Sequence, residues 1–234
     1  MSDLWRFPVK SFGGERVRRA FIGPFGMLGD RHVGVMDATG ETLTARRAHA
    51  LLAFNARCAE DERGEAVRVT TREGRDLPWD DPAVSDEVGR ALGRPVALVA
   101  HPMGVHDAAP IHIVSTASLA AAQAWVDGEE IDRRRFRPNV VIEPEDATPF
   151  AEAAWPGSPI AIGEGGPVLQ VVSPTERCVV TTFDPDTLER DNRVLAGLAR
   201  DRDNLFGVYA RVVRAGWIEV GAPVRIGAVG ASLA

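Results

Sequence analysis

A β-rich α+β fold is what this sequence predicts, on three observations. Short apolar stretches separated by turn residues recur along the chain, only three stretches have helical character, and the composition is that of a globular protein. Hydrophobic residues make up 45% and charged residues 26% of the 234, and mean hydropathy is −0.09. Those values exclude a disordered or collagen-like chain, and no run of 18 apolar residues marks a membrane span. The length fits one large domain or two small ones sharing an interface.

In chain order, Leu4 to Val9, Arg16 to Ile22 and His32 to Met36 read as strands, the last closed by the Asp37-Ala38-Thr39-Gly40 turn. Spacing this short implies a barrel or a sandwich. Glu65 to Thr71 alternates, with Val67 and Val69 on one face and Arg68 and Thr70 on the other. Ala83 to Leu92 is a helix, because Val84, Val88, Ala91 and Leu92 form one apolar stripe. Pro95 to Ala100 is a strand, and the polar loop from His101 to Pro110 is the expected boundary between a unit of residues 1–100 and one of residues 101–234.

Beyond it, Ile111 to Val114 is a strand that runs into an Ala-rich helix ending at Val126, which Ser115 or Thr116 is suited to cap. Strands follow at Asn139 to Ile142, Val168 to Ser173, Arg177 to Phe183, Gly207 to Val213 and Pro223 to Ile226, with a short helix at about Arg193 to Arg200. The chain shows no internal repeat and no low-complexity tract.

Lys plus Arg number 27 against 33 Asp plus Glu, a formal net charge of −6. Such a field repels polyanions and argues against a nucleic-acid binder, so any anion site is local. The sharpest local exception is Arg133-Arg134-Arg135-Phe136-Arg137-Pro138-Asn139. If extended, it places Arg133, Arg135 and Arg137 on one face, where several guanidinium forks suit a phosphate or pyrophosphate. The alternative is a solvated run paired with Glu129, Glu130 and Asp132.

The two cysteines, Cys58 and Cys178, form no CxxC, so neither a disulfide framework nor a thiolate zinc site is readable, and a reducing cytoplasm is expected. The first residues, Met1-Ser2-Asp3-Leu4-Trp5-Arg6, do not read as a signal peptide, and no membrane association is expected. Each cysteine follows an arginine. A free cysteine most often packs as a small hydrophobe, whereas a neighbouring guanidinium favours a thiolate, which is a nucleophile and a soft metal ligand. The dipeptide alone does not choose between them. His101, His106 and His112 cluster near Asp107, but their spacing matches no metal site, and they are expected to be surface loop residues. GxxxxGK[ST], HExxH, GxSxG and GxGxxG are all missing, which removes the common nucleotide, metalloprotease and hydrolase signatures.

Several stretches taken together resemble a known family. Arg6-Phe7-Pro8-Val9-Lys10-Ser11, Gly29-Asp30-Arg31 and Leu43-Thr44-Ala45-Arg46 are similar to the N-terminal β-barrel region that precedes a MOSC domain, the C-terminal domain of molybdenum-cofactor sulfurases. Ile113 to Leu119, Arg134 to Asn139, Arg177-Cys178, Asp184 to Thr187 and Phe206 to Tyr209 resemble the MOSC core in its expected order, and within the family the amidoxime-reducing proteins.

The resemblance implies an N-terminal barrel-like subdomain packed on a MOSC β-barrel, with a molybdopterin cofactor (the molybdenum cofactor) in the cleft between them. It implies that Cys178 is the metal's protein ligand and the catalytic residue. It further implies that Lys10, Ser11, Arg31, Ser115, Thr116, Arg137, Asn139, Arg177 and Tyr209 contact the pterin and its phosphate. The implied reaction is reduction of N-oxygenated small molecules by oxygen-atom transfer, with electrons from a separate ferredoxin-, flavodoxin- or cytochrome-type donor. A cofactor carrier or sulfur-handling protein is the alternative, and a cysteine hydrolase a weaker third. The chain departs from the amidoxime-reducing pattern at Glu176, where those relatives resemble Ser, and an acid beside an anionic cofactor would repel it.

Overall fold

The computed structural model describes residues 1–59 and 66–228. Its N-terminal strands are β1 (Asp3–Arg6), β2 (Glu15–Val17), β3 (Arg19–Gly23) and β4 (Gly26–Met27). The next group is β5 (Val33–Asp37), β6 (Thr42–Leu43), β7 (Asn55–Cys58), β8 (Val67–Thr70), β9 (Asp76–Pro78), helix α1 (Pro82–Leu92) and β10 (Val96–Ala100). The second half contains β11 (Ile111–Ser115), α2 (Thr116–Ala122), β12 (Val140–Ile142), β13 (Pro159–Ile162), β14 (Val168–Glu176), α3 (Asn192–Arg202), β15 (Leu205–Arg214), β16 (Gly216–Glu219) and β17 (Val224–Ile226). The expected α+β, mainly β class is thus the one observed.

The main sheet has eight strands in the order β17-β13-β14-β15-β11-β12-β1-β2, antiparallel except for β11 with β12. Strands β16-β3-β4, β10-β5-β6 and β7-β8-β9 make three smaller sheets. None closes on itself among the described residues, so the expected barrels are open sheets. The pairing also reaches across the expected cut at residue 100: β1 pairs with β12 and β3 with β16, so the first strands belong to the sheets of the second half.

Three apolar cores follow. One, with Leu4, Ile22, Ile113 and Val208, lines the main sheet. A second, with Phe12, Val35, Phe54 and Val88, fills the β5–β10 region and contains Cys58. The third, with Trp125, Phe136, Leu198 and Phe206, lies under α2 and α3. The stripe on α1 faces the second core, with Val84 and Val88 fully buried. Asp81 starts that helix by accepting from the Ala83 N–H. Of the expected strand from Glu65, that residue lies outside the described residues; Val67 and Val69 are buried as alternation requires. No helix among the described residues is long and apolar enough to cross a membrane.

The basic run is not extended, and one expected strand is not a strand. Arg133–Phe136 is a 3₁₀ turn: the Asp132 carboxylate accepts from the Arg134 N–H at 2.7 Å, and Arg137 ends the turn in left-handed backbone at φ 53°. Phe136 anchors it by stacking on Phe206, ring centroids 4.1 Å apart. A capping acid and a core aromatic outweigh alternation here. From Arg177 to Phe183 the chain is extended only briefly at Cys178, then Val179–Thr182 forms another 3₁₀ turn. The Thr181 and Thr182 hydroxyls donate to the carbonyls of Cys178 and Val179 at 2.9 and 2.7 Å, satisfying the turn locally instead of a ladder.

Candidate functional site

A cleft lined by residues from both halves of the chain opens beside the main sheet. The segment after β1 enters it when the Lys10 N–H bonds the Val33 carbonyl, leaving Ser11 in left-handed backbone at φ 72°. Arg31 arrives in the same conformation, φ 55°, held by its N–H on the Phe7 carbonyl at 2.7 Å and by an ion pair with buried Asp30. With Arg137, three non-glycine residues of this one cleft occupy the sparsely populated left-handed region, and such strain collects where a site must be held in shape.

Five cations line the cleft, Lys10, Arg31, Arg46, Arg137 and Arg177, against two acids, Asp107 and Glu176. Most of the cations are withdrawn from water. Arg137 donates to the Phe12 carbonyl at 2.6 Å and lies 4.2 Å above the Phe7 ring, and Arg177 donates to the Phe136 carbonyl at 2.7 Å. Yet Arg137 Nη2 and Arg177 Nε are buried with no hydrogen-bond partner among the described residues. Burial, then the neighbouring Arg31, pulls the Arg137 guanidinium down to about 9, and burial lowers Arg177 as well. Lys10 is likewise lowered by burial, in spite of Asp107 at 2.7 Å. Burial on its own would raise Asp107, but Lys10, Arg46 and Arg31 outweigh it and hold this carboxyl at about 2. Cations desolvated without full compensation are stabilised by an incoming anion.

Cys178 lines this cationic cleft, half-buried, with Arg46 among the residues around it. Tyr209, on β15, stands across the ladder from His112 on β11. Burial raises the Tyr209 phenol.

Of the ten residues the resemblance implicated, the cleft brings together Lys10, Ser11, Arg31, Arg137, Arg177, Cys178 and Tyr209. Asn139 lies behind it, accepting from Arg31 and from the His112 N–H, so it steadies the wall. Ser115 and Thr116 are elsewhere. Ser115 is buried, and its hydroxyl donates to the Glu152 carboxylate at 3.0 Å, so the start of α2 already holds an anion of the protein's own. Thr116 borders a separate hollow beside Gln123 and Arg133.

The arginine run also divides. Arg133 pairs with Asp3, Arg134 with Asp132 and Asp186, and Arg135 with Asp184; Arg137 alone reaches the cleft. Because the run is a turn, Arg133, Arg135 and Arg137 do not share a face for one anion.

Among the lining residues that sequence reasoning leaves without a site role are Arg46, Asp107 and His112. Arg46 ends the Leu43-Thr44-Ala45-Arg46 stretch, and Asp107 sits in the polar loop beside His106. His112 is not a surface loop residue but a buried strand residue with ring nitrogens on the Phe206 and Arg137 carbonyls at 3.2 and 3.4 Å. The apolar run Ile111 to Val114 was the available signal for it.

Comparison with known proteins agrees with this geometry. The family model for the MOSC domain matches residues 100–225, and that for the MOSC N-terminal beta barrel domain matches residues 1–88. The chain belongs to the MOSC family.

Among MOSC relatives it is 26% identical to human mitochondrial amidoxime-reducing component 1, over 96% of this chain and 82% of that protein. It is 33% identical to mitochondrial amidoxime reducing component 2 of Rattus norvegicus, over 50% of this chain and 37% of the relative. It is 26% identical to the molybdenum cofactor sulfurase of Danio rerio, over 89% of this chain but only 31% of that longer protein. The YUAD protein of Bacillus subtilis shares the fold, with a TM-score of 0.52 at 13% identity, covering 96% of this chain and 93% of that one. A molybdenum-cofactor-associated function follows at the level of the family, and relatives named as reducing components suggest a reductase.

Proposed function

We propose that this MOSC protein binds the molybdenum cofactor in the cleft and reduces N-oxygenated small molecules by oxygen-atom transfer. The observation that carries the reading is the pairing of a half-buried thiol, Cys178, with a cleft wall of buried cations, two of whose guanidinium nitrogens lack partners among the described residues. That donor set fits a group combining a soft metal with a phosphate: the thiolate suits the metal, and planar guanidinium forks suit phosphate oxygens.

When bound, the cofactor supplies the two-electron oxygen-atom chemistry that the side chains lack. Cys178 holds the metal as its protein ligand. Lys10, Arg31, Arg137 and Arg177 bind the anionic groups, while Ser11 and Tyr209 offer hydroxyls to the pterin. Phe136 excludes water from the cationic wall. A separate electron-donor protein completes the cycle, which accords with relatives named as components.

A second reading, a cofactor carrier or sulfur-handling protein, has the sulfurase likeness in its favour. A cysteine hydrolase is disfavoured, because His112, the histidine lining the cleft, turns both ring nitrogens to backbone carbonyls. Protein purified from a cofactor-producing host should contain near-stoichiometric molybdenum and reduce benzamidoxime with a chemical electron donor. Bound cofactor without turnover points to the carrier, and an absence of molybdenum overturns both cofactor readings.

A further inference from the structure

Glu176 ends β14 and is exposed at the same cleft. Its predecessor Thr175 is fully buried, as alternation along the strand requires. Among the described residues the Glu176 carboxylate makes no ion pair and no hydrogen bond, which sets it apart from the other charges of the cleft that reach solvent. Arg46 and Asp107, half-exposed, bond each other at 3.5 Å, and Asp107 also takes Lys10. Leu52 and Val180, both only partly buried, supply apolar lining.

If the buried cations are taken up by an anionic cofactor, the charge left facing a substrate is that of the mouth. There the one unpaired group is the Glu176 carboxylate. We infer that Glu176 is a specificity-determining residue that favours substrates whose body carries a positive charge, with the uncharged part of the substrate against Leu52 and Val180. This inference rests on the reductase reading, but its physical content is a binding preference. A carboxylate exposed to solvent separates ligands of opposite charge modestly, by about two- to fivefold for each unit of charge, and salt weakens the separation.

Molybdenum-loaded wild-type protein, Glu176→Gln and Glu176→Lys are compared on benzamidoximes bearing a para trimethylammonium, an uncharged or a carboxylate group. The matching amidines, which hold no oxygen to transfer, are titrated in parallel for Kd. Relative to the uncharged compound, the cationic substrate should lose about threefold in kcat/KM in Glu176→Gln and about tenfold in Glu176→Lys, chiefly through KM. Kd of the cationic amidine should follow, and the differences should shrink at high salt. Unchanged charge ratios in both variants, with wild-type turnover intact, overturn the inference and leave the reductase reading standing. If the loaded wild-type protein reduces none of the three, the reductase reading fails instead. The amidine Kd values then decide the charge preference alone: a cationic-to-uncharged Kd ratio raised in Glu176→Gln supports it, and an unchanged ratio overturns it.

Discussion

Arg134 and Arg137 are three residues apart in one basic run, and the fold gives them opposite circumstances. Arg134 lies on the surface between Asp132 and Asp186, bonded to both carboxylates at 2.6 Å, and these bonds, Asp186 first, raise its pKa. Arg137 is turned inward by its left-handed backbone, rests on the Phe7 ring, and keeps its Nη2 without a partner among the described residues. A surface arginine with two acids has its needs met and contributes little to any ligand. A buried arginine whose partners are carbonyls and a ring is poised for one. The structure thus leaves the uncompensated guanidinium at Arg137, a difference the run's density does not reveal.

The cleft side of this comparison is tested hardest by removing its thiol. Cys178→Ser should abolish oxygen-atom transfer and leave the fold intact, since an alcohol is a harder and far less acidic ligand. Cys58→Ser, in the second core, should retain turnover and cost about 1 to 3 kcal/mol of stability. Activity assays with molybdenum content, alongside thermal melts, read both variants. Near-normal turnover by a molybdenum-replete Cys178→Ser protein would remove the thiolate from the mechanism.

The arginines themselves come next. Arg137→Ala should lower the cofactor retained after gel filtration at least about tenfold, the loss of one charge-assisted partner. Arg134→Ala should change it less than about twofold. Equal losses would mean that the whole run acts as one basic patch and that burial is irrelevant to binding.

This contrast also shows why part of the site was legible in the sequence and part was not. The strands and the α1 stripe were readable because their periodicity coincides with burial, as at Val67, Val69, Val84 and Val88. Lys10, Ser11, Arg31, Arg137, Arg177, Cys178 and Tyr209 were reached through family motifs, and no local pattern brings residues so distant in the chain to one cleft. The strand expected at Arg177 to Phe183 and the extended reading of the basic run fail for one physical reason. Asp132, Thr181 and Thr182 satisfy backbone or carbonyl groups with their own side chains, a local competition that apolar periodicity does not register. Arg46 and Asp107 escaped because each acquires its meaning from the other, and they are 61 positions apart.

The wall behind Arg137 gives a pH test. His112 is fully buried, and burial, with Arg177 beside it, lowers its pKa from the usual 6.5 to about 3. Between these values the unfolded chain binds a proton that the native protein refuses, so stability present above pH 6.5 is lost as pH falls toward 3. By pH 4 the loss should be on the order of 3 kcal/mol. Asp107, held at about 2, adds a loss of the same sign at lower pH still. Urea unfolding at pH 7, 6, 5 and 4 should show this slope in the wild type and a flatter one in His112→Asn. Identical slopes would mean that the ring takes its proton inside the native wall.

The smallest effect is expected at the start of α2, and it separates an anion site that is open from one already filled. The Ser115 N–H and hydroxyl both donate to Glu152, at 3.3 and 3.0 Å, and the Ser118 N–H bonds back to the Ser115 oxygen. Glu152 is almost wholly buried, so a cofactor phosphate would have to displace a carboxylate that has no other place to go. Thr116→Val should therefore leave molybdenum content and turnover within about twofold of wild type, since only a half-buried hydroxyl is removed. Glu152→Gln should cost about 1 to 3 kcal/mol in a melt and also leave molybdenum content unchanged, because the bonds it weakens tie the 151–154 turn to the end of β11 and lie outside the cleft. A loss of cofactor in either variant, with the melt unaffected, would show that the helix start takes part in binding and would extend the site beyond the cleft wall that Arg137 defines.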